Sequence, residues 1–528
     1  MSIIHNLFLV FLATSLLITP INRNKSDARN LSHPANASLD KSADEAKKTV
    51  VKAINAMGGE AALRQVNHIS YEGVGHTFIS SIAVRTQGAQ PIQYDSITQT
   101  MSLKEQAMRK SSRTRLSFRA NEFISTLIVS GGAGAVESGG KINAAPIFQL
   151  YKAQDEFLMN PIAALLSALD STDLKSSGRV MLHDVPHEVV ILKRGDIPLK
   201  ILINTRTWLP SAVEITRAYP SDIFSDMWGD ITTRTIFSTW SYEPGGIYYP
   251  RQWATEINGE PAGQSSITAL NLKEMPKADS FTIPSEIRVS FERSLALKPL
   301  DIARQNFTGT SLVVASGVTM LPGVERKYNS TIIRQNDGLI ILEAPYSPTN
   351  SSLVIAEAAR LFPGQKIKAV ITTSQIWIHV GGIREYIARR IPIYALDSNT
   401  TLIARLARSP HAFHPDTLQR QPQKPIIKAV LSPMTIGSGE SQVVLYPFRS
   451  EGGERMMAVY FPQIQILYAS DLYNPKAFSQ QLWAAHVSEI EELIKRERLN
   501  VKTVFGIHMP PEAWSNVATE LRGVKESK

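Results

Sequence analysis

The sequence predicts an α+β chain in two parts, a β-rich part followed by an αββα sandwich of two sheets between helices. Three observations carry this reading. At 528 residues the chain is too long for one ordinary core. Residues 69–257 break into short runs of alternating apolar and polar side chains separated by polar turns, the period of half-buried strands. Beyond residue 302 nearly continuous apolar runs, such as Leu339-Ile340-Ile341-Leu342, alternate with segments of helical spacing, the pattern of buried strands joined by helices.

Composition narrows the class. Hydrophobic residues are 43% and charged residues 20%, ordinary for globular protein and unlike disordered or multi-span membrane chains. The formal charge of +9 is spread over scattered Lys and Arg, which reads as a solvated surface rather than a nucleic-acid face. The absence of cysteine removes disulfides, thiolate metal sites and cysteine nucleophiles. Residues 7–18 are apolar and shorter than the ~20 residues of a bilayer span. They read as an export signal within residues 1–28, cut near Ser26-Asp27-Ala28, the alternative being an uncleaved anchor that holds the chain at a membrane. Residues 23–40 are polar and expected to be a flexible linker.

The β-rich part is expected over 39–284. Ser42-Ala43-Asp44-Glu45 forms a capping box, after which Ala46, Val50, Ile54 and Met57 recur at helical spacing until Gly58-Gly59. A short helix follows over 60–66. Strands are expected over 69–73, 96–101, 188–192, 200–203, 212–215, 231–240 and 247–257. The glycine-rich 131–140 reads as a turn or mobile loop, and 161–169 as an apolar helix opened by Pro161. His68 and His76 fall on strands without evident partners. An antiparallel sheet facing one or two helices accommodates this string. Its order, with the turn Asn204-Thr205-Arg206-Thr207-Trp208-Leu209-Pro210, resembles the curved half-barrel of periplasmic lipoprotein-carrier proteins. That resemblance implies a concave sheet able to hold an acyl chain or peptide. The other reading is a closed core that supports the second part.

The second part is expected over 302–528, after a connector at 285–301. A strand over 329–334, the turn Asn336-Asp337-Gly338, a buried strand over 339–345, a helix over 351–362 and a strand over 366–372 lead into Thr373-Ser374-Gln375-Ile376-Trp377-Ile378-His379-Val380-Gly381-Gly382. A strand pair over 456–462 and 466–472 ends at Asp471, and Ile507-His508 closes a last strand. In this order, and at Trp377, His379 and the two glycines, the segment resembles the metallo-β-lactamase superfamily with a degenerate His-x-His-x-Asp-His motif.

The resemblance implies a dinuclear metal site, and the ligands are carried over one at a time. The three His of the first metal fall on Ser374, Ile376 and Gly452, which supply no imidazole. The carboxylate of the second metal falls on Ile378, while His379, Asp471 and His508 remain. Two His and one carboxylate are able to hold one divalent metal, zinc in the family, for metal-assisted hydrolysis. The alternative is that the three hydrogen-bond one another in a cleft that no longer binds metal, and the loss of every first-site His favours it. The expected function is an exported, non-catalytic or weakly active protein that binds a small molecule or an acyl or peptide ligand. The alternatives are a mononuclear metal-dependent hydrolase and an envelope lipid or lipoprotein carrier. His411, His414 and Asp416 read as a surface loop within a linker of two-domain members, Glu451 and Glu454 as solvated turn charges. His486 reads as a half-buried packing residue on a stripe with Trp483, Val487, Ile490 and Ile494. No Gly-x-Ser-x-Gly elbow is present.

Overall fold

The computed structural model describes residues 35–78, 92–116, 122–219, 222, 226–305, 310–323, 328–450, 454–472 and 480–526. The expected export signal, Glu451 and Gly452 lie outside them. Helix α1 (Ala35–Ala56) begins seven residues before Ser42, so the capping box lies inside the helix and part of the expected linker is helical. Tertiary contact overrides the local cap. The Ser42 hydroxyl accepts from Ser176 N at 3.2 Å on a strand edge, and Ala46, Val50, Ala53, Ile54 and Met57 form the buried stripe. Gly58, at φ 124°, ends α1 before α2 (Glu60–Gln65).

Among the described residues the first sheet has thirteen strands. They are β1 (His68–Phe78), β2 (Ile92–Ser102), β3 (Ala107–Leu116), β4 (Glu122–Ser130), β5 (Ala133–Ser138), β6 (Lys141–Ala144), β7 (Lys175–Leu182), β8 (Val185–Arg194), β9 (Ile197–Asn204), β10 (Pro210–Ala218), β11 (Asp230–Glu243), β12 (Ile247–Ile257) and β13 (Glu260–Asn271). The order is β6-β5-β4-β3-β2-β1-β13-β12-β11-β10-β9-β8-β7, antiparallel throughout. The run 131–140 is therefore no mobile loop. It is β5 between two diglycine turns with positive φ, which local hairpin pairing on both sides fixes in place.

Helices α3 (Ile147–Met159) and α4 (Pro161–Leu169) connect β6 to β7. The Asn160 side chain accepts from Ile162 N and caps α4. Helix α3 touches both β5 and β10, which are eight steps apart in the strand order. Flat, eight steps would span roughly 38 Å. A helix only about 10 Å across reaches both because the sheet curls around it. Leu150, Ala153, Phe157, Ile162 and Leu165 share a core with Met108, Ile201 and Val213 of the sheet, so helix side chains fill this face. The expected connector is largely helix: α5 (Ser285–Leu295) packs on β5 and β6, with Phe291 fully buried.

After α6 (Pro299–Gln305) the second sheet runs β14 (Leu312–Ala315), β15 (Val318–Leu321), β16 (Ser330–Gln335), β17 (Gly338–Leu342), β18 (Ile367–Ile371), β19 (Ile393–Leu396) and β20 (Ile427–Val430) in sequence order. Strands β17 to β20 are parallel. Their crossovers carry α7 (Pro348–Leu361), the single turn α8 (Trp377–Val380), α9 (Ile383–Ala388), α10 (Thr400–Arg408) and α11 (Thr417–Arg420). Right-handed crossovers in one direction put these helices on one face and leave the other for a sheet. That sheet is β21 (Met434–Ile436), β22 (Val443–Ser450), β23 (Glu454–Phe461), β24 (Ile466–Tyr468), β25 (Thr503–Gly506) and β26 (Met509–Ala513). It is covered by α12 (Gln480–Arg496) and α13 (Trp514–Glu526). Ile340, Val370 and Ile393 share one core with Val459, Leu467 and Val504.

Candidate functional site

The ends of β17, β18 and β24 and the turn between β25 and β26 meet at one rim, where the open ends of parallel strands commonly form sites. Glu343 follows β17 and is fully buried. Its carboxylate accepts the Tyr468 hydroxyl at 3.0 Å, Thr373 N at 3.3 Å and the Thr373 hydroxyl. The Thr373 hydroxyl also lies 2.7 Å from Ser470 Oγ. The remaining neighbour of Glu343 is His379 Nδ1, at 3.0 Å.

His379 sits in α8, where its N donates to Ile376 O at 2.8 Å and its carbonyl accepts Ala344 N at 3.1 Å. These bonds fix the imidazole between two acids, with Nε2 3.7 Å from Asp471 Oδ1. Burial works against charge on this ring. Glu343 and Asp471 outweigh it and raise its pKa to about 9. Burial likewise opposes the ionised Asp471, but His508 and His379 hold that carboxyl well below the usual carboxylate range. Burial and the Glu343 carboxylate push the Tyr468 phenol well up.

His508 does not close the strand as expected but lies in the turn, two residues past the end of β25, because Gly506 closes the ladder against Met509. Its Nε2 is 2.8 Å from Asp471 Oδ1. The Asp471 and His508 side chains are 17% and 13% exposed, whereas His379 and Glu343 are at 0%, so solvent reaches the cluster through the former pair. Tyr328 stacks edge-on over His508, ring centroids 5.0 Å apart, and packs on Trp377 and Tyr346 at 5.3 and 5.4 Å. Four non-glycine residues here, Tyr328, Glu343, Tyr346 and Ser470, have φ between 52° and 71°. Left-handed backbone costs such residues about 1 kcal/mol each, and strain of this kind gathers at functional sites.

The structure thus brings His379, Asp471 and His508 together. Ser374 is buried with its hydroxyl toward Gln375 Oε1 at 3.3 Å, and Ile376 and Ile378 are buried in the sandwich core. Other expectations need correction. His411 is buried, not a surface residue, because the first part of the chain packs on it; His414 is exposed, and Asp416 pairs with Arg384. His486 is fully rather than half-buried, 6.2 Å from the Phe448 ring, and burial lowers its pKa. Glu454 begins β23, and His68 and His76 lie half-exposed on β1.

Sequence reasoning missed Glu343, Thr373, Tyr468 and Ser470. The one available signal was a carboxylate ending an otherwise apolar buried run. The diglycine after α8 is required by close approach. A Cβ on Gly381 would lie 2.4 Å from Tyr346 O and 2.8 Å from Trp377 O. We therefore expect Gly381→Ala to cost about 1–3 kcal/mol in urea denaturation; an unchanged midpoint would refute this packing.

The fold implied by the motif carries metal, and its donors must meet the geometry of the ion. Zinc bonds to imidazole and carboxylate are about 2.0–2.2 Å, which puts two ligands of a tetrahedral ion about 3.4 Å apart. The 2.8 Å between His508 and Asp471 is too short for two ligands of one such ion. Isoleucine walls replace further donors at 376 and 378. Among the described residues no set of three His, Cys, Asp or Glu is placed to hold a metal ion. As arranged, these residues do not fit the metal.

No family model and no curated protein matches the chain. Among solved structures it is similar to a metallo-β-lactamase from Pontibacter korlensis, at 16% identity over 41% of this chain and 99% of that one, with a TM-score of 0.31. It is also similar to the mono-zinc form of the metallo-β-lactamase FIM-1 from Pseudomonas aeruginosa, at 13% identity over 43% and 100%, TM-score 0.31. A third is the inverting sec-alkylsulfatase Pisa1 from Pseudomonas sp., at 14% identity over 42% of each chain, TM-score 0.30. The chain is a mixed α/β protein rich in sheet, with similarity to the metallo-β-lactamase fold. Likeness at this level carries no argument about chemistry.

Proposed function

We propose that the chain is an exported ligand-binding protein, non-catalytic or weakly active, on a metallo-β-lactamase-like sandwich whose dinuclear site is degraded. The observation that carries this reading is the His379 imidazole held between Glu343 and Asp471. An imidazole so placed brings its own positive charge to the acids that a metal would otherwise neutralise. His379 Nε2 and Asp471 Oδ1 lack an aligned hydrogen bond although both are buried. Asp471 and His508, the solvent-facing pair, offer a small ligand a polar anchor beside the half-buried Tyr328 ring. The first part is read as a support of half-barrel shape. Its curl around α3 favours that shape, and the helix side chains that fill its face weigh against the lipid-carrier reading.

Elemental analysis of the purified full chain, with thermal unfolding in added zinc, tests the proposal. The expected result is far less than one zinc per chain and no zinc-dependent rise in Tm. Near-stoichiometric zinc that is lost in His508→Ala would overturn it and install the mononuclear hydrolase, with His379, Asp471 and His508 as its ligands.

A further inference from the structure

We propose that the turn before β11 and the segment 405–416 form an acid-released latch between the two parts of the chain, with His411 as its titrating group. The two are about 180 residues apart in sequence, yet the contact is built from polar bonds on both sides. Met227, from the first part, is buried in the sandwich core. Arg405 lies over the Trp228 ring at 5.4 Å, and the Ser409 hydroxyl donates to Trp228 O at 2.8 Å. Asp230 N donates to Pro410 O at 2.8 Å. The Asp230 carboxylate accepts Ala412 N at 2.7 Å and Phe413 N at 3.2 Å. His411 is therefore enclosed by backbone that the first part holds.

The fit leaves no slack on the His411 ring. Gly229, at φ 72°, passes so close that a Cβ there would lie 2.3 Å from Pro410 O and 2.4 Å from His411 Cδ2. His411 is 4% exposed, and its Nε2 is buried without a hydrogen-bond partner among the described residues. Among the described residues the charged groups around it are Arg384 from α9, Asp416 before α11 and Asp230 from β11, with Arg405 of α10 over the adjoining Trp228. Asp416 is already engaged by Arg384 at 2.6 Å and stands 3.9 Å from His411 Nδ1, too far to hydrogen-bond an added proton. A second proton on the ring thus meets a buried Nε2 with no acceptor and a neighbouring guanidinium.

The direction follows from linkage. Burial, and then the Arg384 charge, lower the docked His411 pKa to about 4, with Asp416 and Asp230 opposing them. An undocked ring titrates at its ordinary value, so the undocked state binds the extra proton between pH 6.5 and 4. Docking is fully favoured above that window, weakens as pH falls through it, and loses nothing more below it. From pH 7.5 to pH 5 the undocking equilibrium should rise about 30-fold.

Amide hydrogen exchange of the full chain, corrected for intrinsic rates, tests this. We expect 405–413 to lose protection about 30-fold between pH 7.5 and pH 5 while β17 keeps its own, and His411→Gln to lose much less. Gly229→Ala should leave 405–413 unprotected already at pH 7.5. Unchanged protection at 405–413, an equal loss in β17, or an undiminished loss in His411→Gln overturns the latch. Should His411→Gln not fold, the wild-type contrast between 405–413 and β17 decides alone.

Discussion

Glu343→Gln should destabilise the protein by about 3–5 kcal/mol at neutral pH, the usual cost of removing one partner of a buried ion pair. Glu343 is fully buried, and its carboxylate gathers two hydroxyls, a backbone N–H and an imidazole. A glutamine keeps the volume but turns an NH2 toward groups that are themselves donors, so at least one donor is left without an acceptor. A pH signature separates this from a general packing defect. His379 is raised from 6.5 to about 9 in the folded chain. Its contribution is therefore fully present below pH 6.5 and is lost as pH rises through 9. The whole shift is worth about 3 kcal/mol. Urea denaturation at pH 6, 7.5 and 9.5 should show the wild type weakening on the alkaline side and Glu343→Gln weakening much less. Parallel pH profiles for the two proteins would refute the pairing.

The reach of the sequence differs between neighbouring residues of this one site. Strands β17 and β18 were legible because buried parallel strands leave unbroken apolar runs, and α4 because Pro161 marks its start locally. The convergence of His379, Asp471 and His508 was legible through motif order. Glu343 was not, since a carboxylate at the end of a strand ordinarily faces water and its partners Thr373 and Tyr468 lie 30 and 125 residues away. The same holds for His411, whose burial is imposed by Gly229 and Asp230 from the other part of the chain. The capping box at Ser42 failed for the opposite reason: a correct local signal lost to docking of α1 on β7. Periodicity reports what a segment does alone. Charge pairs and domain contacts are set by residues that no local window contains.

Arg384→Met is expected to cost about 4 kcal/mol, and the reason joins the site to the latch. Arg384 is 1% exposed. Its guanidinium grips Asp416 through two bonds, at 2.6 and 3.0 Å. Its remaining donors reach Leu406 O at 2.6 Å, Ser409 O at 3.1 Å and Ala407 O at 3.3 Å. Those carbonyls end α10, where the helix leaves acceptors unpaired and its dipole favours a cation. Methionine fills the space without a single donor and strands the Asp416 charge. Lysine should not rescue, because one ammonium lacks the planar fork that serves a carboxylate and a helix end together. Adding Asp416→Asn should recover part of the loss, giving a coupling energy of about 1–3 kcal/mol in a double-mutant cycle. Arg384 stands two residues past Gly382, and the carbonyls it holds lead directly into His411. Arg384→Met should therefore also expose 405–413 to hydrogen exchange at neutral pH, where His411 carries no extra proton. A stability loss no larger than that of substituting Arg408, or full protection of 405–413 in the variant, would separate the two structures and leave the guanidinium as a purely local cap.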